Sequence, residues 1–204
     1  MRRHTLGVAI LVLVALGLAC RGWATVSTPT AQVRASVDQV LGLLTAPELA
    51  APEQRETRRD RIMAVVQSRF DFRDMAQRAL ARHWRDRSPA EQDHFVDLFG
   101  RLLKSSYVGK IEAYTDQTIV YEQETMTGEK AVVESAILNK GIKIPLHYRL
   151  KLAGDQWLVY DVVIEGVSLV SNYRSQFAQI LERESFAELV RRLEERVRQV
   201  GEAD

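Results

Sequence analysis

Residues 161–177 read DVVIEGVSLVSNYRSQF, the most informative stretch of this chain. Its first four residues are mostly apolar, as in a buried strand, and the following Glu165-Gly166 pair is typical of a turn. Beyond Ser168 the apolar side chains recur at helical spacing, with Tyr173 and Phe177 four residues apart on one face. The stretch therefore predicts a strand that turns directly into a helix with an aromatic inner face.

Residues 142–152 form the clearest strand. Apolar and polar side chains alternate along it, which predicts one buried and one exposed face. The face expected to be buried carries Ile142, Ile144, Leu146, Tyr148, Leu150 and Leu152. Turn signals at 127–128, 140–141 and 154–155 divide residues 116–165 into four such runs. The economical topology is a four-stranded antiparallel sheet.

Helical patterns flank these strands. Apolar residues recur with helical period from Val33 to Leu44, and a second helix is expected from about Pro52. Asp71 is placed to cap a third helix. Residues 88–91 form a capping box with proline at the first helical position. That box opens a long helix with an apolar stripe of Phe95, Leu98, Phe99, Leu102, Leu103, Tyr107 and Ile111.

Two more helices are expected after the strands, from about Ser168 and Ser185. Since strands and helices are largely segregated along the chain, these patterns predict a single domain of the α+β class. The apolar stripe of the long helix must lie against the apolar surfaces of the second half of the chain. From the residues alone, that contact favours a filled core over a cavity.

The N-terminus has the pattern of a secretory signal peptide. A basic start at residues 1–4 precedes an apolar run over residues 6–19, and Ala24 closes a small-residue cleavage pattern. The run is shorter than the about 20 apolar residues of a membrane-spanning helix. We expect cleavage after Ala24, which leaves residues 25–204 as one domain. Lipoprotein processing at Cys20 is the less favoured alternative.

Composition limits the function further. Cleavage after Ala24 removes the single cysteine, so a disulfide framework and a cysteine nucleophile are not expected. Loss of Arg2, Arg3 and Arg21 reduces the basic residues from 28 to 25 against 27 acidic ones, a formal net charge of −2. Nucleic-acid-binding domains usually carry a clustered basic excess. The sequence therefore does not favour that class.

Common catalytic motifs are incomplete in this chain. Gly166-Val167-Ser168 begins a nucleophile elbow, but Val170 stands where the second glycine is required. Gly109-Lys110 lacks the remaining residues of a phosphate-binding loop. The histidines outside the signal segment, His83, His94 and His147, show no close metal-ligand spacing. We therefore expect neither a metal nor a cofactor, and no enzymatic activity.

Asp161 is the one residue that keeps an enzyme hypothesis open. It lies in an apolar strand, where we expect it to share a face with Trp157, Val159 and Val163. Desolvation at such a place raises the pKa of a carboxyl and suits it to acid–base work. The favoured interpretation is structural, with Asp161 bound to a nearby arginine or to backbone groups.

Three passages resemble the MlaC-type, or toluene-tolerance, family of periplasmic phospholipid carriers. They are residues 161–177, the residues from Phe70-Asp71-Phe72 to Trp84, and the run Ile144-Pro145-Leu146-His147-Tyr148-Arg149-Leu150. Their order and spacing extend the resemblance over roughly residues 30–195. The resemblance implies an NTF2-like curved sheet of four antiparallel strands, covered by helices, with a hydrophobic cavity between the two layers.

The resemblance also implies a function in the periplasm. Family members hold phospholipid acyl chains between sheet and helices, and carry lipid between outer- and inner-membrane complexes to maintain outer-membrane lipid asymmetry. The implied partners are an outer-membrane lipoprotein–porin complex and an inner-membrane ABC transporter with a membrane-anchored lipid-transfer ring. Three alternatives stay open: a hopanoid-type cargo, an NTF2-like enzyme that uses Asp161 on a hydrophobic substrate, and an adaptor without a pocket.

We expect the residues that line the cavity to come from the inward faces of the strands and helices. The set comprises Phe99, Leu103, Tyr107, Val133, Ile137, Ile144, Leu146, Tyr148, Leu150, Val163, Val167, Val170 and Tyr173. A phosphate head group at the mouth favours a guanidinium, which can bind it through two parallel hydrogen bonds. Arg174 is the first candidate for this contact and Arg149 the second. The alternative for Arg174 is an ion pair with Glu165 or Asp161.

Overall fold

The computed structural model describes residues 27–114 and 117–203, so the predicted signal peptide lies outside the described residues. Six α-helices are present in this part of the chain. Their bounds are Pro29–Thr45 (α1), Arg55–Arg69 (α2), Phe72–Leu80 (α3), Pro89–Glu112 (α4), Leu169–Leu181 (α5) and Phe186–Ala203 (α6). Short 3-10 helices occupy Pro47–Leu49, Pro52–Gln54 and Ala81–Trp84. The second helix predicted from Pro52 thus starts as a 3-10 turn, and its α-helical part begins at Arg55.

Local side chains fix where the helices begin. The Ser88 hydroxyl accepts a hydrogen bond from the Glu91 amide at 3.3 Å, and the Glu91 carboxylate accepts one from the Ser88 amide at 2.8 Å. This is the predicted capping box of α4. The Asp71 carboxylate accepts from the Asp74 amide at 2.8 Å and caps α3 as predicted. At α5, the Ser168 hydroxyl accepts from the Ser171 amide at 3.0 Å.

The sheet is antiparallel and its strands lie in chain order. They are Thr118–Thr127 (β1), Lys130–Asn139 (β2), Ile142–Ala153 (β3), Gln156–Ile164 (β4) and Val167–Ser168 (β5). Positive φ at Gly128, Gly141 and Gly154 places the three hairpin turns where the sequence predicted them. Bulges between Tyr121 and Gln123 and opposite Arg149-Leu150 bend the sheet.

The prediction of four strands is wrong, because the sheet has five. The fifth strand is only two residues long, and it pairs Val167 with Ile164 and Ser168 with Val163. A turn at Glu165 and Gly166 folds the chain back onto β4, and both residues have positive φ. Two residues carry too little periodicity for a strand to be recognised from sequence.

Two hydrophobic clusters form the core. The helix cluster contains buried side chains of α3, α4, α5 and α6, and aromatic rings of α4 and α5 meet edge to face within it. The sheet cluster joins Val33 of α1 to buried residues of β2, β3 and β4. Phe70 packs against both clusters. Beside it, the Asp71 amide donates a hydrogen bond to the Val159 carbonyl at 2.8 Å, which connects the start of α3 to β4. The two clusters thus meet at the start of α3.

A buried ionic cluster joins the end of α4 to the start of α2. The Glu112 carboxylate, which is 10% exposed, accepts from Arg59 Nε at 2.9 Å and from Arg58 Nη2 at 3.0 Å. Arg55 lies 3.5 Å from the same carboxylate. Arg58 also donates to the Leu49 carbonyl at 2.6 Å. This cluster holds the C-terminal half of α4 beside α2.

Candidate functional site

The sheet presents an apolar face toward α1, which we call the inner face. Strand pairing places Val133 beside Tyr148 and Ile137 beside Ile144 on this face. Exposure rises along β3 from Leu150, which is 0% exposed, and Tyr148, which is 9% exposed, through the half-buried Leu146 and Ile144. The inner face is therefore sealed by α1 at one end of the sheet and increasingly open toward the other.

The helix side of the site is aromatic. The rings of Phe99 and Tyr173 meet edge to face at 5.2 Å, and Phe177 lies within 6 Å of both. Tyr107 is half-buried about two helical turns after Phe99 along α4, and burial, together with the nearby Tyr173 phenol, raises its pKa. Leu103 and Val170 are buried in the same cluster. These residues form an apolar wall built from α4 and α5.

The predicted lining residues are thus divided between the two hydrophobic clusters. The helix cluster holds Phe99, Leu103, Tyr107, Val170 and Tyr173. The sheet cluster holds Val133, Leu146, Tyr148 and Leu150. Ile137 and Ile144 pair with each other beyond the sheet cluster, toward the open end. Eleven of the thirteen predicted residues therefore belong to the inner face or to the aromatic wall, and the other two, Val163 and Val167, do not fit.

Val163 lies on the opposite, outer face of the sheet. A bulge leaves Tyr160 unpaired, so that Leu150 pairs with Val159 whereas Arg149 pairs with Asp161. From Asp161 onward, the alternation along β4 is reversed. Val163 consequently pairs with His147 and not with Leu146. The predicted inward position of Val163 is wrong, because the sequence pattern assumed an unbroken period of two through the bulge.

Because of the same bulge, the surroundings of Asp161 differ from those expected. Trp157 and Val159 lie on the inner face, whereas Asp161 and Val163 lie on the outer face. Val167 departs from its prediction for another reason: β5 is at the edge of the sheet, and 60% of the Val167 side chain is exposed. Val167 lies at the margin of the open end and is not enclosed.

Asp161 is buried, and its carboxylate is fully used by structural hydrogen bonds. Oδ1 accepts from the Val170 amide at 3.0 Å, and Oδ2 accepts from the Ser168 hydroxyl at 2.7 Å and from Arg149 Nη1 at 3.1 Å. The carboxylate thus binds the first turn of α5, where backbone amides are otherwise unpaired. The expected contacts of Asp161 with an arginine and with a backbone amide are present, and Arg149 is the arginine.

The two arginines proposed to contact a head group differ in their surroundings. Arg149 lies on the outer face and is bound to Asp161, so it does not point to the inner face. Arg174 is exposed on α5, and its Nη2 donates to the Ser171 hydroxyl at 3.4 Å. Among the described residues no carboxylate lies within ion-pair distance of Arg174, so the alternative pairing with Glu165 or Asp161 is absent there. Arg174 is the better placed cation for an incoming anion.

Tyr121 also belongs to the inner face, although no sequence pattern pointed to it. Its hydroxyl is buried without a hydrogen-bond partner in the described part of the chain, and Arg34 stacks over its ring at 4.3 Å. Burial is the main cause that raises the Tyr121 pKa to about 12. A buried unpaired hydroxyl costs about 1–3 kcal/mol. This orphaned donor is suited to a ligand oxygen, and only the bulged pairing of β1 reveals its position.

Two clefts open among the helices. One of about 490 Å³ lies between α4, α5 and α6, with Tyr173 and Phe177 at its base and Arg196 at its rim. The other, of about 250 Å³, lies between α2, α3 and α4. Neither is the predicted cavity between sheet and helices. In the described ranges, no three His, Cys, Asp or Glu side chains cluster as metal ligands. Across the same ranges, no helix has the length and apolar character to cross a bilayer.

Comparison with known proteins identifies the family. Among curated proteins, the toluene tolerance protein ttg2D of Pseudomonas putida is 27% identical over 104 residues, which make up 50% of this chain and 48% of that protein. The intermembrane phospholipid transport system binding protein MlaC of Haemophilus influenzae is 22% identical over 124 residues, 58% of each chain. The chain thus spans about half the length of the curated relatives it matches.

A solved structure is similar over a larger part of the fold. The phospholipid-binding protein from Ralstonia solanacearum, in complex with a phospholipid, has a TM-score of 0.75 and 30% sequence identity. The similarity covers 86% of this chain and 99% of that one. The MlaC protein family model matches residues 34–195, nearly the span that the three motifs indicated. The protein belongs to the MlaC family.

Proposed function

We propose that this protein is a periplasmic carrier that binds phospholipid acyl chains between its inner face and its aromatic wall. The observation that carries the proposal is the inner face itself, an apolar surface that passes from fully buried to open along one strand. The similar protein from Ralstonia solanacearum was solved with a bound phospholipid, and its likeness covers most of this chain. Phe70 packs against both the helix cluster and the sheet cluster, so the two proposed apolar walls adjoin there.

Energetics explain why such a carrier is needed. Burial of a methylene group is favourable by about 0.8 kcal/mol, so the transfer of two long acyl chains into water costs more than about 20 kcal/mol of free energy. Transfer from a bilayer into an apolar pocket exchanges one apolar medium for another, and its net free energy is small. The carrier can therefore load and unload when membrane-bound partners bias each step.

The partners proposed from the family are an outer-membrane lipoprotein–porin complex and an inner-membrane ABC transporter with a membrane-anchored lipid-transfer ring. An ATPase of the transporter would supply the energy for directional transport. In this scheme the protein contributes to outer-membrane lipid asymmetry by moving phospholipid between the two complexes. Arg174, near the middle of α5, is the proposed contact for the phosphate of the cargo.

Native mass spectrometry of the mature protein, purified from periplasm without detergent, tests the proposal. We expect one phospholipid bound per chain, identified by its mass after release. A hopanoid mass would change the cargo while keeping the carrier. A ligand-free protein whose core is filled would contradict the proposal and favour an adaptor without a pocket.

The variant Asp161→Asn separates the carrier from an enzyme. We expect it to retain its phospholipid, because Asp161 lies on the outer face and binds only Arg149, Ser168 and the Val170 amide. Stability should fall by about 1–3 kcal/mol, since a buried charged acceptor is lost. Thermal unfolding and lipid quantification measure the two effects. Loss of lipid from a variant that remains folded would contradict the assignment of Asp161 to structure alone.

A further inference from the structure

The open end of the sheet carries exposed aliphatic side chains. Four large apolar residues stand out as exposed in the described ranges, and three of them are Leu138 at 38%, Ile142 at 64% and Val167 at 60%. Leu138 and Ile142 flank the β2–β3 turn, and Val167 follows the β4–β5 turn. Strand pairing brings these two turns to one end of the sheet. We call this group, with the turn lysine Lys140, the open edge.

The β2–β3 turn holds the open edge in a fixed shape. Asn139 pairs with Ile142, which leaves a two-residue loop of Lys140 and Gly141. Both loop residues have positive φ, at 47° and 86°, as in the tight turn that matches the twist of the flanking strands. Ile142 therefore projects from a short hairpin on the side of the inner face, and Leu138, which pairs with Lys143, projects on the outer side of the same hairpin.

The open edge is continuous with the inner face. Ile142 follows Ile144 and Leu146 on the same side of β3, and Val167 pairs with Ile164, which itself pairs with Leu146. An apolar track thus runs from the exposed hairpin to the buried part of the sheet. Exposure of aliphatic groups to water at the end of such a track is unfavourable in free energy unless another apolar phase covers them.

The composition of the open edge favours a lipid surface over a protein partner. Protein interfaces concentrate their binding energy in Trp, Tyr and Arg, and they are depleted of Lys. The open edge contains Leu, Ile, Val and Lys instead. Lysine suits a bilayer because its stem can lie along apolar surface while the ammonium reaches anionic head groups.

The charges around the open edge permit such contact. Lys140 is exposed and has no carboxylate within ion-pair distance among the described residues. Lys143 is paired with Glu122 at 2.5 Å on the flank of the hairpin. Glu165, also exposed, lies in the turn before Val167 and is the opposing charge. We therefore expect Lys140 to make the first contact with anionic lipid, on the side of the open edge away from Glu165.

We propose that the open edge docks directly onto the anionic surface of a lipid bilayer. Ile142, Leu138 and Val167 enter the head-group region, and Lys140 binds lipid phosphates. The inference rests on the proposed carrier function, since docking would align the apolar track with the acyl layer. A lipid could then pass between bilayer and inner face without exposing its chains to water.

Vesicle flotation of the full mature protein tests the proposal. The probes are vesicles of phosphatidylethanolamine with phosphatidylglycerol, and vesicles of phosphatidylcholine alone. We expect Ile142→Asp to lower partitioning into the anionic vesicles at least about tenfold, because one inserted aliphatic side chain is lost. Lys140→Asn, which tolerates the left-handed backbone, should lower it about fivefold on anionic vesicles and leave partitioning into phosphatidylcholine unchanged.

Met126→Asp is the matched control. Met126 is 57% exposed, but it lies at the β1–β2 turn, at the opposite end of the sheet. This variant should float like the wild type. Wild-type protein that fails to float, or equal losses from the Ile142 and Met126 variants, would overturn the docking proposal.

Lipid content separates this inference from the carrier function. Phospholipid that copurifies with wild type and with Ile142→Asp, combined with lost flotation of the variant, supports docking. Phospholipid that copurifies with a wild type unable to float overturns docking and leaves the carrier standing. In that case, a lower rate of lipid transfer by Ile142→Asp to a membrane protein would assign the open edge to a protein partner.

Discussion

Replacement of Leu146 by arginine is expected to abolish phospholipid binding while the protein stays folded. Leu146 is half-buried at the middle of the inner face, between the sealed end at Tyr148 and the open end at Ile144. An arginine there places a charge on the path of the acyl chains, and an unpaired charge is strongly disfavoured in an apolar medium. The side chain can still reach solvent through the open end, which spares the fold. Native mass spectrometry measures the bound lipid, and circular dichroism measures the folded fraction.

Val163→Arg is the matched control for Leu146→Arg. Both residues are half-buried aliphatic side chains near the same end of the sheet, but Val163 pairs with His147 on the outer face. We expect this variant to retain stoichiometric phospholipid. If Leu146→Arg unfolds, Leu146→Trp tests the same site with a large apolar side chain that would occupy the proposed acyl-chain path. Full lipid retention by a folded Leu146 variant would contradict the inner-face site.

Much of the fold follows from local patterns in the sequence. The capping box at Ser88 and the cap at Asp71 predicted two helix starts, because each depends on side-chain hydrogen bonds within three residues. The alternating residues of 142–152 predicted β3, and positive-φ glycines closed the predicted hairpins. The two-residue β5 was missed because its pairing depends on the turn at Gly166 and not on its own composition.

The site was predictable only where the strand period was unbroken. Along β3 the alternation is continuous, so Leu146, Tyr148 and Leu150 were placed on the correct face. In β4 the bulge at Tyr160 shifts the period by one residue, which moves Asp161 and Val163 to the outer face. Nothing in the local residue types marks that bulge. The hydroxyl of Tyr121 was missed for a related reason, since β1 bulges just after it.

Replacement of Glu112 by glutamine is expected to lower the free energy of unfolding by about 3 kcal/mol, because a buried charged cluster loses its carboxylate. Glu112 binds Arg58 and Arg59, and Arg59 is 5% exposed. For a chain of this size the melting temperature should fall by about 6–12 °C. Asp60→Asn is the control: Asp60 pairs with Lys104 at the surface, where an ion pair contributes at most about 1 kcal/mol. Equal losses from the two variants would contradict the special role of Glu112.

The contribution of Glu112 to the free energy of unfolding should also depend on pH. Burial opposes ionisation of Glu112, but the hydrogen bonds from Arg59 and Arg58 outweigh it and lower the Glu112 pKa in the folded protein. A carboxyl whose pKa is lowered in the folded protein contributes its full stabilisation when the pH is above its pKa in the unfolded chain, about 4.5. This contribution is lost as the pH falls below that value and through the pKa of the folded protein. Wild type and Glu112→Gln should therefore differ most at neutral pH and converge in acid. Because Glu112 joins α4 to α2, the converging region marks the pH at which the protonated Glu112 no longer stabilises the contact between these helices.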